Sequence, residues 1–261
     1  MMIRPISKKL LKQVRQLKQK KFRHSYGLFV ISGLRAVSLA LSSNTIEPKY
    51  LLVEKQQMAL LNRLPAFNGE AVFTLSSAEF SYISDEKTPQ GIALVARLPQ
   101  VSLQNLSLPD RLIFLEQISD PGNFGTILRT ASWFGWPVIL LGSTSLDPYQ
   151  PKVVRASAGT IAQVKVVENV SLEALKKIKS QNGYRLIGTT VHQGKPLPDF
   201  KSKSGAKYML AFGSEAHGLS EEVVRMCDQK LTIPKFGNGE SLNLAIAVSL
   251  FLYQFTALKS A

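Results

Sequence analysis

Three short polar segments of the chain carry the side chains best suited to chemistry. They are 116–131, 213–220 and 234–243, and each follows a short apolar run typical of a buried strand. In a sheet of parallel strands, ligands bind beyond the carboxyl ends of the strands, where such segments lie. The candidates are two amides, a guanidinium, a carboxylate and a hydroxyl: Asn123, Arg129, Glu215, Ser241 and Asn243.

The first segment has a structural explanation as well as a functional one. A turn is predicted at 120–122, and Asn123 then opens a helix, for which it can be a simple cap. Arg129 lies among apolar residues of that helix and can pair with Asp120 or Glu116. The pattern alone leaves open whether Arg129 serves the fold or a ligand.

The second segment is a loop with glycines at both ends. Gly213 and Gly218 allow the backbone to approach a ligand closely. Glu215 can accept a hydrogen bond from that ligand or cap the next helix. His217 is a possible general base, although an isolated loop histidine is more often incidental.

The third segment joins a predicted strand at 231–233 to an apolar helix that is predicted to run from Ser241 to Leu252. Ser241 is the expected N-cap. Asn243 is either a surface amide or, with Ser241, faces a ligand at the helix N-terminus, where the dipole favours polar groups. The Gly-Asn-Gly sequence at 237–239 does not predict a dinucleotide site, because a third glycine and the later acidic residue are missing.

Composition excludes several classes of protein. The single cysteine, Cys227, rules out an internal disulfide and fits a reducing compartment, and the three histidines lack metal-ligand spacing, so we expect no metal. Neither a membrane span nor a signal peptide is visible, and a cytoplasmic location is expected. The basic, acid-free start is also compatible with an organellar transit peptide, although it leads directly into a predicted domain.

The net charge of +14 is concentrated at one end of the chain, because ten basic residues precede the first acidic residue, Glu47. Ser7 to Lys21 has the periodicity of a helix, with Ser7 as a cap. Its other faces are almost wholly basic, which is typical either of a solvated helix or of a surface for a polyanion. An anionic membrane is the main alternative to RNA as that polyanion. The predicted RNA-binding residues are Lys8, Lys9, Lys12, Arg15, Lys18, Lys20, Lys21, Arg23 and Arg35.

Two stretches of alternating strands and helices predict an α/β protein of two domains. The first covers 1–98, and a polar segment with proline at both ends, 99–109, is the expected linker. In 110–261 the short apolar strands between helices predict a parallel sheet that is covered on both faces.

The three polar segments, taken in order, resemble the motifs of the SpoU-type (TrmH-like) RNA 2′-O-ribose methyltransferases of the SPOUT superfamily. The resemblance covers Arg111 to about Tyr253. More weakly, 8–33 and 88–91 resemble the substrate-binding domain of the ribosomal protein L30e type that often precedes that catalytic domain. One departure is Ser32, where the family usually has glutamate before the glycine, and this leaves the role of the small domain in RNA choice open.

The resemblance implies a C-terminal parallel-sheet domain with a deep trefoil knot, S-adenosylmethionine as cofactor, and a homodimer that completes the site. By position, the cofactor-binding residues are Thr189, Gly213, Ile233 and Leu242. It further implies methyl transfer to a ribose 2′-hydroxyl, with ribosomal RNA favoured over transfer RNA. A non-catalytic RNA-binding assembly factor is the alternative from a different class.

The resemblance also assigns roles to the site residues. In the family, the residue that matches Arg129 is proposed as the base, but arginine is effectively always protonated. A two-point grip on the target phosphate is a more natural task for Arg129. Asn123 is expected to orient Arg129 or the ribose. Glu215, Ser241 and Asn243 are expected to fix Arg129, the cofactor or the neighbouring chain.

Overall fold

The computed structural model describes residues 3–104, 106–191, 194–203 and 205–257. The chain divides into two compact units. The N-terminal unit ends at Gln100 and also contains Asp147–Gln163, whereas the C-terminal unit contains Val101–Leu146 and begins again at Val164. Within the described ranges, no helix is both long enough and apolar enough to span a bilayer.

Strands and helices alternate along almost the whole chain. The strands are β1 (Ile3–Pro5), β2 (Leu28–Ser32), β3 (Pro48–Glu54), β4 (Ala71–Leu75), β5 (Ile92–Arg97), β6 (Arg111–Leu115), β7 (Val138–Gly142), β8 (Lys165–Val170), β9 (Tyr184–Thr189), β10 (Lys195–Pro196), β11 (Lys207–Phe212) and β12 (Gln229–Thr232). The helices are α1 (Lys8–Gln16), α2 (Lys20–Tyr26), α3 (Leu34–Leu41), α4 (Ser77–Ile83), α5 (Pro121–Trp133), α6 (Pro151–Ala156), α7 (Leu172–Asn182), α8 (Glu221–Met226) and α9 (Leu244–Ala257).

The N-terminal unit is built on a mixed sheet with the strand order β1-β4-β3-β5-β2. Strands β1, β4 and β3 are parallel, and β5 runs antiparallel to both of its neighbours. Helices α1 and α4 supply Val14, Leu17 and Phe80 to the apolar core on the sheet. Helix α4 begins with a capping box, in which Ser76 and Glu79 bond to each other's backbone N–H groups.

The predicted helix at 7–21 is two helices, separated where the backbone of Gln19 is extended. Ser7 caps α1 as expected, by accepting from the N–H of Leu10 at 3.2 Å. The carbonyls of Leu17 and Lys18 then accept from Nη1 of Arg23, at 2.8 and 2.9 Å. Arg23 therefore satisfies carbonyls that the break leaves without helical partners.

The placement of Arg23 corrects the predicted RNA-binding set. Its side chain is 2% exposed and forms an ion pair with Asp147, which is 8% exposed. The carboxylate of Asp147 also accepts from the N–H of Tyr149 at 2.8 Å. A buried guanidinium whose donors are already used cannot bind a phosphate, so Arg23 is a structural residue.

Asp147 belongs to a segment that the sequence patterns assign to the C-terminal domain, whereas the structure assigns it to the N-terminal unit. Asp147–Gln163 falls inside the predicted domain 110–261, but it packs in the N-terminal unit. The ring of Tyr149 lies 5.0 Å from that of Phe29. The backbone of Gly159 approaches α3 so closely that a Cβ there would lie 2.7 Å from Cα of Ala36.

The described residues of the C-terminal unit form seven strands in the order β10-β12-β9-β11-β6-β7-β8, all parallel. Apolar residues of the strands are buried throughout, as in a sheet covered on both faces. Helices α5 and α9 pack against each other. The predicted α/β class, with a C-terminal parallel sheet, is confirmed. The trefoil knot stays a prediction.

Candidate active site

The three polar segments follow strands that belong to one run of four adjacent strands in the parallel sheet. Strands β12, β9, β11 and β6 are adjacent, and their carboxyl ends lie at the same edge. Segment 116–131 follows β6, segment 213–220 follows β11 and segment 234–243 follows β12. Parallel pairing therefore brings together side chains that are 120 residues apart in sequence.

A chain of hydrogen bonds joins one residue from each segment. The Nδ2 amide of Asn243 donates to Oδ1 of Asn123 at 2.8 Å. The Nδ2 amide of Asn123 donates to Oε1 of Glu215 at 2.7 Å. Asn123 is thus held from both sides, and three of the five predicted catalytic residues form one connected group.

The way α9 begins determines which atoms donate and which accept in these hydrogen bonds. Oδ1 of Asn243 accepts from the N–H groups of Ala245 and Ile246, at 3.0 and 3.3 Å. With its oxygen used as the helix cap, Asn243 has only its amide N–H₂ to offer to Asn123. The oxygen of Asn123 is then the acceptor, and its own amide points to the carboxylate of Glu215.

Two predicted helix caps are therefore wrong. Helix α9 begins at Leu244 and is capped by Asn243, so Ser241 is not the cap. Ser241 is exposed and bonds to no described residue. Helix α5 is capped by Asp120, whose Oδ1 accepts from the N–H of Asn123 at 2.6 Å. This frees the side chain of Asn123 to join the hydrogen-bond chain.

Arg129 is exposed on α5 and available to a ligand. The predicted structural pairing is absent: across the described ranges, Arg129 forms no ion pair or hydrogen bond. Asp120 is used as a cap, and Glu116 is 7% exposed and accepts from the N–H and hydroxyl of Ser220, at 2.8 and 2.7 Å. In the described residues Glu215 and Asn123 bond to each other and not to Arg129, so their predicted roles toward the ribose, the cofactor or the neighbouring chain stay predictions.

The loop after β11 is folded tightly on itself. The N–H of Ser214 donates to the carbonyl of Gly218 at 3.1 Å, and the N–H of Gly218 donates back at 2.9 Å. A Cβ on Gly213 would lie 1.9 Å from the carbonyl carbon of Gly218. His217 is exposed, and its backbone N–H donates to the Ser214 hydroxyl at 3.1 Å. Only glycine fits at 213, because this position packs directly against the 218–219 backbone of the same loop.

The other predicted cofactor residues lie in the same unit. Thr189 ends β9, and its hydroxyl donates to the carbonyl of Ala211 at 3.0 Å, so this hydroxyl serves the sheet. Ile233 is half-buried just after β12, and Leu242 is 49% exposed. Backbone from the glycine loop and apolar side chains from the third segment are the surfaces that an adenosine-bearing ligand needs.

The single cysteine lies outside this group. Burial raises the pKa of Cys227 to about 11, and its thiol donates to the carbonyl of Val223 at 3.2 Å. A thiol with this pKa stays protonated at neutral pH, so Cys227 is not a nucleophile.

Sequence reasoning missed Ser220 and the structural roles of Glu116 and Asp120. Both caps carried a signal: Asp120 precedes a proline at the helix start, and Ser220 precedes two glutamates. The bond from Ser220 to Glu116 spans 104 residues and has no local signal. It ties the second polar segment to the first.

This fold and these segments define a class of RNA-modifying methyltransferase. The chain matches the SpoU rRNA Methylase family over residues 110–253 and the MRM3-like substrate binding domain over residues 8–94. Since the first match covers more than half of its length, the chain belongs to the SpoU rRNA methylase family. The resemblance that the motifs indicated is confirmed.

Individual relatives agree with this assignment. The chain is 28% identical to the 23S rRNA (guanosine(2553)-2′-O)-methyltransferase RlmP of Bacillus subtilis, over 93% of this chain and 94% of the relative. A putative RNA methyltransferase of the TrmH family from Porphyromonas gingivalis has a TM-score of 0.85 and 30% identity, over 96% of this chain and 98% of that one. An AdoMet-bound rRNA methyltransferase from Sinorhizobium meliloti has a TM-score of 0.83 and 26% identity, over 97% of each chain.

Proposed function

We propose that the protein transfers a methyl group from S-adenosylmethionine to a ribose 2′-hydroxyl of ribosomal RNA. The observation that carries this proposal is the hydrogen-bond chain Asn243–Asn123–Glu215, which joins the three family motifs on one sheet edge. The unpaired Arg129 lies six residues along α5 from Asn123, about 9 Å along the helix axis. The cofactor assignment draws support from the AdoMet-bound relative and from the glycine loop at 213–218.

The residues of this chain are assigned roles that match their contacts. S-adenosylmethionine supplies an already activated methyl group, so the protein has to align the hydroxyl and help it to lose a proton. Arg129 grips the phosphate beside the target ribose through its guanidinium. Glu215 has one carboxylate oxygen held by Asn123, and its second oxygen, Oε2, which has no hydrogen-bond partner in the described residues, is assigned to the ribose hydroxyl or the donor.

Backbone packing at Gly213 gives a direct test of the cofactor site. Gly213→Ala is expected to weaken S-adenosylmethionine binding at least tenfold, because its Cβ would displace the 218–219 backbone. Ser180→Ala is the control, since Ser180 is exposed on α7 in the same unit and lies outside the three polar segments. Isothermal titration calorimetry measures both. Equal affinities in wild type and Gly213→Ala would remove this loop from the cofactor site.

Ribosomal RNA is preferred over transfer RNA as the substrate. The support is the named 23S rRNA activity of the Bacillus subtilis relative, which matches both units of this chain. A substrate of that kind also supports the cytoplasm as the place of action. Transfer RNA remains the second candidate.

We also propose that two chains form a homodimer through α5 and α9. An apolar face that is exposed on these packed helices supports this: Ile246 and Tyr253 are 53% and 60% exposed, and Trp133 is 84% exposed. Leu250 lies between them at helical spacing. Large exposed apolar patches of this kind mark protein interfaces.

Changing this face is expected to separate the chains. Ile246→Arg combined with Leu250→Arg places two charges where the partner's apolar face packs, and wild-type dimers become monomers in analytical ultracentrifugation. Val191→Arg, at another exposed apolar position, leaves the dimer intact. A monomeric wild type, or a double variant with unchanged mass, rules out this interface.

The substrate class is tested with unmodified transcripts. The protein is incubated with labelled S-adenosylmethionine and either large-subunit ribosomal RNA or total transfer RNA, and incorporated label is counted. We expect label in the ribosomal transcript only. Label in transfer RNA alone would make transfer RNA the substrate. If the protein binds RNA but gives no calorimetric signal with S-adenosylmethionine, it is a non-catalytic binding factor.

A further inference from the structure

The N-terminal unit contains a polar pocket that includes none of the candidate catalytic residues. Its volume is about 530 Å³, which is within the range of small-ligand sites. We call it the α3 pocket, and its lining includes Gly33, Arg35, Lys87, Gln90 and Arg155. Three chain segments build it: the start of α3, the loop before β5, and α6.

Three cations from these three segments face the pocket without partners. Arg35, Lys87 and Arg155 are all exposed, and none forms an ion pair or hydrogen bond within the described part of the chain. Two carboxylates also line the pocket. Asp85 is bound by Lys18 at 2.7 Å, which leaves Glu86 as the one acid without a cation. Three cations against one uncompensated carboxylate favour an anionic ligand.

The backbone at the start of α3 adds donors to the same place. Gly33 has a φ of 92°, and the Oε1 oxygen of Gln90 accepts from the N–H of Leu34 at 2.9 Å. The next two N–H groups, of Arg35 and Ala36, have no acceptor among the described residues. Free N–H groups in the first turn of a helix bind phosphate oxygens well.

Arg155 shows that the pocket requires both halves of the sequence. It lies within residues 110–253, which match the methylase family, but its segment packs in the N-terminal unit. The other lining residues named above belong to 8–94, which match a substrate-binding domain. The excursion Asp147–Gln163, held by the buried pair of Arg23 and Asp147, therefore adds a cation to the substrate-binding unit.

We propose that the α3 pocket binds a phosphodiester group of the RNA substrate, through Arg35, Lys87, Arg155 and the free N–H groups of α3. RNA is preferred over a free nucleotide because the unit matches a substrate-binding domain and carries the exposed basic residues of α1 as well. The proposal rests on the proposed function in one respect, namely that RNA is the substrate.

The test uses the full-length chain and a large-subunit ribosomal RNA transcript. Arg35→Gln, Lys87→Gln and Arg155→Gln each remove a charge from an exposed side chain, and Arg63→Gln is the control, because Arg63 is exposed in the same unit but outside the pocket. RNA affinity is measured by filter binding from 50 to 200 mM KCl. Each pocket variant is expected to lower affinity about tenfold at the low-salt end and to reduce the salt slope by about 1. The triple variant reduces the slope by about 3, and Arg63→Gln leaves it unchanged.

The proposal is overturned if the triple variant has an unchanged salt slope, or if its loss of RNA affinity equals that of Arg63→Gln. It is also overturned if adenosine 5′-monophosphate binding needs the three cations while RNA binding does not. Methyl transfer is measured in parallel. A triple variant with a raised KM for RNA and an unchanged kcat supports the pocket. A wild type that transfers no methyl but loses RNA affinity in the triple variant contradicts only the proposed function. A wild type that methylates RNA with a slope insensitive to the pocket contradicts only the pocket.

Discussion

Arg129→Ala is expected to lower the rate of methyl transfer by about 100- to 1,000-fold, with S-adenosylmethionine affinity within twofold of wild type. Arg129 is exposed and unpaired with any described residue, so its loss removes no contact that holds the fold. Its loss does remove the grip on the substrate phosphate that aligns the ribose. Single-turnover rates with saturating RNA and donor measure the change.

Two further variants define what Arg129 does. Arg129→Lys keeps the charge but loses the planar two-point donor, and it is expected to recover only part of the rate. Arg225→Ala is the control, because Arg225 is an exposed arginine of the same unit in a surface ion pair with Glu221 at 2.6 Å. If Arg129→Ala and Arg129→Lys both keep wild-type rates with intact donor binding, the assignment of Arg129 is wrong.

Arg23→Ala is expected to lower the free energy of unfolding by about 3–5 kcal/mol. The change leaves the carboxylate of Asp147 buried without its cation and removes the donors that bind two carbonyls at the end of α1. Urea denaturation followed by circular dichroism measures it. Because Asp147 opens the excursion to α6, the same variant is expected to loosen the α3 pocket.

The matched control is the exposed pair of Arg97 and Glu47, for which Arg97→Ala is expected to cost less than about 1 kcal/mol. A combined Arg23→Met and Asp147→Leu variant is expected to recover most of the loss, since apolar residues of similar size can replace a buried pair. A cost below about 1 kcal/mol for Arg23→Ala would contradict the structural role of this pair.

Local periodicity was sufficient for much of the fold. The residue patterns of 34–41, 71–75 and 77–83 predict a helix, a strand and a helix, and the structure has helix Leu34–Leu41, strand Ala71–Leu75 and helix Ser77–Ile83. These elements have clear caps, turns or apolar spacing within their own residues. The spacing of 56–64 also predicts a helix, but the structure has a 3₁₀ helix at Lys55–Arg63 without a buried residue, so no apolar face selects the α form there.

Elements whose limits depend on distant contacts were predicted less well. At the break after α1, Arg23 binds the free carbonyls, and Arg23 itself pairs with Asp147, 124 residues away. The start of α9 depends on the choice between Ser241 and Asn243, which are equally good caps by residue type. Asn243 is the cap in the structure, where Oδ1 of Asn123 also accepts from the side-chain amide of Asn243. No local pattern contains that information.

The sequence predicted which residues form the candidate site, but not which of them bond to each other. The order of the three segments and the parallel sheet were enough to bring Asn123, Glu215 and Asn243 together. Their roles toward Arg129, the ribose, the cofactor or the neighbouring chain stay predictions, because their described side-chain hydrogen bonds join them to one another. The sequence also gave no sign that Asp147–Gln163 leaves its predicted domain, because the apolar spacing of a short helix does not specify which core it joins.

The proposed function requires that the methyl group is transferred to the ribose and not to a base. The most direct measurement is nucleoside mass spectrometry of unmodified ribosomal RNA after incubation with the protein and S-adenosylmethionine that carries a deuterated methyl group. We expect one labelled nucleoside that loses the label with its ribose on fragmentation and leaves an unlabelled base ion, with labelling strongly reduced in Arg129→Ala. Label on a base, or equal labelling by wild type and Arg129→Ala, would contradict the proposed function.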